Sequence, residues 1–179
     1  MTLVITACTS RKRKTVSGAL RMANLRAADL PELASEWSRR LTAAPERFPG
    51  AEIYGGRGFR EAVHAAKLLH ARLLVVSAGL GLIDAKAEVP PYASTVLVNS
   101  SDSVCARVQG DFSVSSWWKA LSKGSPFAIS LHEATQEKNG LICAALSEAY
   151  IEMIAGDLLS LGQTPSTISS HVLFVHGFT

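Results

Sequence analysis

The sequence predicts an α/β protein: a three-layer α/β/α sandwich around a four-stranded, mainly parallel sheet. Four short runs have the continuous apolar, β-branched character of strands buried on both faces, and helix-like segments separate them along the chain. Strands that alternate with helices pair in parallel through right-handed crossovers. The 179 residues suffice to bury such a sheet, and residues 1–179 are interpreted as a single domain.

The predicted strands are short and bounded by polar or turn-forming residues. They are TLVITA (2–7), RLLVVSA (72–78), PFAISL (126–131) and HVLFVHGF (171–178). In parallel sheets with helical crossovers, ligands bind at the carboxyl ends of the strands. Functional side chains are therefore expected just after each of these runs.

The first predicted helix covers LPELASEWSRRLTAA (30–44). Asp29 is suited to cap this helix, because Pro31 fits its first turn and Glu32 completes an Asp-x-x-Glu capping pattern. Further helices are predicted from apolar positions at helical spacing, and they cover residues 58–70 and 138–161. Residues 84–118, which prolines and a hydroxyl-rich stretch interrupt, are predicted as a long excursion with short strand or helix pieces.

Composition favours a globular protein, with 47% hydrophobic residues and a mean hydropathy of +0.18. No apolar run approaches the roughly 20 residues that span a bilayer, so no membrane partner is expected. The basic cluster follows the first apolar run instead of preceding it, which is the wrong order for a secretory signal and predicts a cytoplasmic location. Three widely spaced cysteines predict neither a disulfide framework nor a metal site, and no cofactor is expected.

Charge is distributed unevenly along the chain. Residues 1–72 hold 13 Lys and Arg against 6 Asp and Glu, whereas residues 73–179 hold 5 against 9. This asymmetry favours a cationic surface that faces an anionic partner, with nucleic acid as the first candidate. A solvated face without a partner is the alternative that charge alone leaves open.

Polar residues follow each predicted strand. The first strand leads into CTSRKRK (8–14), the second into SAGLGLID (77–84), the third into His132, and the fourth contains His176. Glycines in the second turn permit a close approach of backbone to ligand, and Asp84 is the first carboxylate after that strand. Taken singly, each residue also has a structural explanation: Asp84 as a cap, for example.

A second dense motif is AEIYGGRGFREA (51–62). Its glycines indicate a loop that leads into a helix, and the amino end of that helix attracts anions. Tyr54 offers a flat face for stacking on a base, although it is equally suited to the core. Cys8 is interpreted as a small buried side chain and not as a nucleophile, because no histidine or asparagine near it in sequence singles it out.

Taken in order, ITACTSRK, EIYGGRGFREA, LLVVSAGLGLID and PPYASTV resemble an uncharacterised family of bacterial and phage domains. They also resemble, more remotely, the peroxide-stress DNA-binding family. The resemblance covers residues 4–98. It implies a fold similar to uracil-DNA glycosylase, with a base pocket at the strand ends. Some small members look like anti-phage enzymes that remove glucosylated hydroxymethylcytosine from viral DNA.

The sequence departs from the uracil enzymes at two places. ACTSRKRK stands where those enzymes have a strand-one motif with a catalytic aspartate and an aromatic residue, and Leu80 stands where related turns often have tyrosine. These departures affect the catalytic assignment more than the pocket.

The resulting hypothesis is a monofunctional DNA glycosylase that flips a modified base out of double-stranded or locally unpaired phage DNA. Breaking an N-glycosidic bond needs a carboxylate near the sugar and a donor or cation near the base. Asp84 or Glu52 is the candidate for the first role, and Lys12, Arg13 or His132 for the second. The expected base pocket comprises Cys8, Ser10, Tyr54, Ser77, Gly79, Tyr92 and His132, and the expected phosphate contacts are Arg11, Arg13, Lys14 and Arg57.

Two other functions remain open at this point. One is a non-catalytic DNA-binding protein of the stress response, and the other is transfer of a base or hydrolysis of a free nucleotide.

Overall fold

The computed structural model describes residues 2–135, residues 141–161 and the backbone of residues 172–174. The central feature of the protein is a five-stranded mixed sheet with the order β4-β3-β1-β6-β7, and a separate ladder joins β2 to β5. The strands are β1 (Leu3–Ala7), β2 (Phe48–Pro49), β3 (Arg72–Ser77), β4 (Gly81–Asp84), β5 (Glu88–Val89), β6 (Ile142–Ala145) and β7 (Val172–Phe174). The architecture is α/β, as the sequence predicts.

Four strands of the central sheet run parallel. β1 pairs in parallel with β3 on one side and with β6 on the other, and β6 pairs in parallel with β7. The predicted parallel pairing of RLLVVSA with TLVITA is therefore confirmed. We call the end of the sheet where Ala7 and Ser77 lie the carboxyl edge, and the end where Leu3 and Arg72 lie the amino edge.

The helices connect and cover these strands. They are α1 (Leu30–Ala43), α2 (Gly50–Ile53), α3 (Arg57–Leu68), α4 (Val114–Gly124), α5 (Leu131–Thr135) and α6 (Glu148–Leu161). The predicted cap of α1 is present, since the Asp29 carboxylate accepts a hydrogen bond from the Glu32 backbone N–H at 2.9 Å. α3 packs against β1 and β3 and carries the chain from the carboxyl edge back to the amino edge.

Apolar side chains are buried on both faces of β1, because successive residues of a strand point to opposite sides. Val4 belongs to a small cluster with Ala62 and Ala66 of α3. Ile5 belongs to the larger cluster, which also contains Trp37 of α1. The continuous apolar run that predicted β1 therefore reflects a strand in the middle of the sheet.

Two predicted elements are wrong. PFAISL (126–131) is not a strand. Residues 126–127 form a turn, residues 128–130 have no regular secondary structure, and Leu131 begins α5. The Ile129 N–H donates to the Leu82 carbonyl at 2.8 Å. Residues 138–161 are not one helix either. Their described part contains the strand β6 followed by α6, while residues 138–140 lie outside the described residues.

The physical reason is the same in both cases. A short apolar run looks alike in a buried strand, a buried helix and a packed loop, so periodicity does not separate them. The fourth parallel strand of the sheet is thus ICAA (142–145) instead of PFAISL, and HVLFVHGF contributes β7 at the sheet's end.

Candidate functional site

The carboxyl edge gathers loops from three parts of the chain. The loop after β1 continues the ladder for one residue, because the Cys8 N–H donates to the Val76 carbonyl at 2.9 Å. The turn after β3 begins at Ser77, and Tyr150 lies in the first turn of α6, which follows β6. Two tyrosines from the intervening segments, Tyr54 and Tyr92, complete this edge.

The basic segment is held as a short strand against the Tyr54 loop. Lys12 and Tyr54 form an antiparallel bridge. On either side of this bridge, the Arg13 N–H donates to the Ile53 carbonyl and the Gly55 N–H donates to the Arg11 carbonyl, both at 2.8 Å. Extended chain alternates its side chains. Lys12 therefore turns inward, whereas Arg11 and Arg13 are exposed.

The Lys12 ammonium lies against two aromatic faces. Its Nζ is 4.9 Å from the ring centroid of Tyr54 and 4.7 Å from that of Tyr92, and it donates a hydrogen bond to the Thr9 carbonyl. Burial lowers the pKa of Lys12, while the neighbouring Cys8 and Asp102 oppose this shift. The site thus contains one partly desolvated amine.

Beneath the amine lies a buried network of hydroxyl groups. The Tyr92 hydroxyl is 2.5 Å from Ser77 Oγ and 3.1 Å from the Tyr54 hydroxyl. Cys8 Sγ, at the same edge, is 3.2 Å from the Tyr150 hydroxyl. Burial raises the pKa of all three tyrosines, so their phenols stay neutral near neutral pH.

The turn after β3 is rigidly tied to the core. Ser77 Oγ accepts hydrogen bonds from the N–H groups of Gly79 at 3.2 Å and Leu80 at 2.9 Å. Trp37 Nε1 donates to the Gly79 carbonyl at 2.7 Å. A Cβ at Gly79 would lie 2.4 Å from the Tyr92 ring, so only glycine fits there. The sequence predicts that backbone and ligand approach each other closely at this turn; in the structure it is the Tyr92 ring that lies close to Gly79.

Five of the seven predicted pocket residues meet at this carboxyl-edge cluster: Cys8, Tyr54, Ser77, Gly79 and Tyr92. Ser10 belongs to the loop after β1 and is exposed. The expectation that His132 joins them is wrong. His132 is exposed on α5 and lines a separate cavity of about 210 Å³ with residues that include Ser122 and Asp157.

The expectation that Asp84 lies at the carboxyl edge is also wrong. Gly81, with a φ of 85°, reverses the chain, and β4 runs antiparallel to β3 so that Asp84 stands opposite Leu74. The Asp84 carboxylate reaches the amino-edge residue Arg72, with Nε and Oδ2 only 2.6 Å apart. The hairpin thus carries this carboxylate away from the cluster.

The other predicted charged residues divide into two groups. Lys14 forms an ion pair with Glu52 at 3.2 Å, and the Glu52 side chain is 56% exposed. Arg57 is 79% exposed and forms an ion pair with Glu61 at 2.7 Å. Arg11 and Arg13, described above, are exposed beside the inward-turned Lys12, and they are the predicted phosphate contacts nearest the cluster.

Sequence reasoning misses two residues of the site. Tyr150 reads only as part of the apolar side of a helix, and nothing in its surroundings signals a polar partner. Asp102 lies in a hydroxyl-rich turn, with a side chain that is 14% exposed. It accepts hydrogen bonds from the Ala23 N–H at 3.1 Å and from Arg21 Nη1 at 3.3 Å. The pattern NSSDS indicates a turn but not its position in the fold.

In the part of the chain that the structure describes, no group of three or more His, Cys, Asp and Glu side chains is arranged to hold a metal ion. Within the same residues, no helix is both long and apolar enough to cross a membrane. Compared with known proteins, the chain matches no family model, and no curated protein or solved structure is significantly similar to it. The family resemblance of the motifs accordingly stays a prediction.

Proposed function

We propose that this protein is a DNA glycosylase that flips a modified base out of phage DNA and hydrolyses its N-glycosidic bond. Glucosylated hydroxymethylcytosine is the candidate base, and defence against phage is the corresponding role. The observation that carries the proposal is the carboxyl-edge cluster: one inward-turned amine, Lys12, packed on two tyrosine rings between two exposed arginines. The finer fold, a three-layer sandwich of the uracil-DNA glycosylase type, belongs to the same proposal.

The arrangement supports this chemistry in two ways. The departing base develops negative charge, and a preorganised cation or amine next to neutral phenols favours that development. Exposed cations are also what a flipped nucleotide requires, because its phosphates need counter-charge. Arg11 and Arg13 are exposed on the loop that carries Lys12, where they are suited to contact phosphates.

The experiment is release of base from a panel of DNAs that contain cytosine, hydroxymethylcytosine or its glucosylated forms, followed by mass spectrometry. The wild type should release base from a modified DNA only. Lys12→Gln should reduce release by about 100-fold or more, the usual effect of deleting one preorganised group. Lys67→Gln is the matched control, because Lys67 is exposed on α3, away from the carboxyl edge, and should be dispensable. Absence of released base from every DNA would contradict the proposal.

A second function, non-catalytic DNA binding, is favoured by one specific observation. Tyr54 and Tyr92 are only 1% and 0% exposed, and their hydroxyls bond to each other and to Ser77. A pocket closed in this way is what a protein without turnover would keep. Salt-sensitive binding to DNA without release of base would support this second function, and activity on free nucleotides would point instead to a nucleotide hydrolase.

Both DNA-dependent functions predict the same charge effect. Arg11→Ser with Arg13→Ser should flatten the dependence of log binding constant on log salt by about 0.9 for each phosphate that the protein no longer neutralises. The control is Lys67→Ser with Lys86→Ser, which removes two exposed cations far from the carboxyl edge. Equal slopes for the two double variants would show that the loop after β1 does not touch DNA.

A further inference from the structure

The carboxyl-edge cluster contains the predicted amine, Lys12, but not the predicted carboxylate Asp84. Asp84 lies at the amino edge against Arg72, and Glu52 is exposed and paired with Lys14. Asp102 is engaged by Arg21 and by the Ala23 N–H. Water activation by Asp84 or Glu52, the predicted carboxylates, therefore has no support in this geometry.

Lys12 differs from its neighbours in this loop, because its side chain turns inward while theirs are exposed. The bridge to Tyr54 turns its side chain away from Arg11 and Arg13, the two exposed cations on either side. Its nitrogen contacts ring faces and a backbone carbonyl of its own loop. The nearby hydroxyls are neutral phenols and Ser77, so the amine is surrounded by dipoles more than by counter-ions.

From this placement we infer that Lys12 Nζ attacks the sugar carbon C1′ and forms a Schiff base with the abasic deoxyribose. The inference rests on the proposed function and deepens it, because it makes the reaction proceed through a covalent protein–DNA intermediate.

The step balances without any additional reactant until water enters. Nζ bonds to C1′ as the bond from C1′ to the base nitrogen breaks, and the base leaves with that electron pair. The bond from C1′ to O4′ then opens to give an iminium. Counting from the ammonium, one hydrogen ends on the base, one on O4′ and one on the iminium nitrogen. Water hydrolyses the iminium to the aldehyde and returns the lysine ammonium.

The electrostatics of the site agree with this role. A lysine is nucleophilic only as the free amine, and burial lowers the pKa of Lys12 toward that form. Asp102 acts in the opposite direction, since its charge raises the pKa of Lys12. Asp102→Asn should therefore move the acid limb of the rate profile to lower pH.

The test uses duplex DNA that carries a preformed abasic site, together with sodium borohydride, which reduces an iminium to a stable secondary amine. This probe does not depend on which base the protein recognises. The wild type should give a covalent adduct, and peptide mass spectrometry should place it on Lys12. Lys12→Arg keeps the charge but should lose at least about 100-fold of the adduct, a loss of the size expected for removing one catalytic group. Lys67→Arg, at an exposed lysine of α3, should retain the adduct.

The outcomes separate this inference from the proposed function. Release of modified base without an adduct on Lys12 would overturn the Schiff-base inference but would still support the glycosylase function. An adduct on Lys12 without release of any base would support the nucleophile while contradicting the glycosylase. Adducts spread equally over Lys12, Lys14 and Lys67 would overturn the inference, since they would reflect surface amines. Thermal unfolding of Lys12→Arg checks that the variant is folded.

Discussion

The two ends of strand β3 show how differently one strand can use polar residues. At the amino edge, Arg72 and Asp84 neutralise each other at 2.6 Å, with side chains that are 32% and 23% exposed. At the carboxyl edge, Ser77 joins a buried set of neutral hydroxyls beneath the ammonium of Lys12. The ion pair at the first end is complete in itself, whereas the ammonium at the second end contacts ring faces and a backbone carbonyl. Strong pairing thus marks the structural end, and incomplete pairing marks the candidate site.

The largest effect should come from breaking the packing at the carboxyl edge. Gly79→Ala would place a Cβ 2.4 Å from the Tyr92 ring, and the turn is fixed by the bond from Trp37 to the Gly79 carbonyl. Overpacking of this kind costs about 1–3 kcal/mol, and we expect the upper part of that range. Urea unfolding measures it. Gly58→Ala is the control, because a Cβ there meets nothing within 4 Å and should stabilise α3 by about 0.5–1 kcal/mol.

A somewhat smaller effect is expected from the hydroxyl network itself. Tyr92→Phe keeps the ring but removes a hydroxyl that contacts Ser77 and Tyr54. The free energy of unfolding should fall by about 1 kcal/mol, since both partners are buried and each loses a hydrogen bond. Tyr150→Phe, which removes a bond to the weakly hydrogen-bonding Cys8 thiol, should cost less. The reverse order in a urea titration would show that the network is centred on Cys8 instead.

These differences also explain which parts of the fold the sequence could predict. β1 and β3 are continuous apolar runs buried on both faces, so composition alone finds them. Asp29 and Glu32 predict the start of α1, because together they form a local capping pattern. The carboxyl-edge cluster is predictable in large part, because Cys8 follows β1 and Ser77 ends β3, and neighbouring parallel strands end at the same edge.

The failures lie where local pattern does not decide long-range geometry. Gly81 could have opened a loop or a hairpin, and only the pairing of β4 with β3 decides on which edge Asp84 lies. The hydrophobic run around Ile142 reads equally well as helix or strand. Asp102 and Tyr150 reach the site through tertiary contacts that connect distant segments, and no motif records them.

A small effect is expected at the amino edge. Asp84→Asn and Arg72→Met should each cost less than about 1 kcal/mol, because a partly exposed ion pair contributes little after solvent screening. Neither change should alter the release of base or the borohydride adduct, since both residues lie at the far end of the strand from Lys12. If Asp84→Asn abolished turnover in a folded protein, the comparison between the two ends would be wrong.

The smallest effect on the free energy of unfolding near neutral pH should come from replacing Lys12. Lys12→Met removes a desolvated charge and keeps an apolar stem against the rings of Tyr54 and Tyr92, so its free energy of unfolding should equal or slightly exceed that of the wild type. The same change should abolish the borohydride adduct, so Lys12→Met would lose activity without losing stability. Urea unfolding of the two proteins gives the comparison.

The sign of the pH dependence sharpens this last prediction. The pKa of Lys12 in the folded protein is lowered from 10.5, so the unfolded chain binds more protons than the folded one between the lowered value and 10.5. Wild-type stability should therefore rise relative to Lys12→Met as the pH increases toward 10.5. The raised pKa values of the tyrosines affect both proteins alike and cancel in the difference. A difference that stays constant or falls with pH would mean that the Lys12 ammonium is well solvated, and the argument for its reactivity would lose its electrostatic basis.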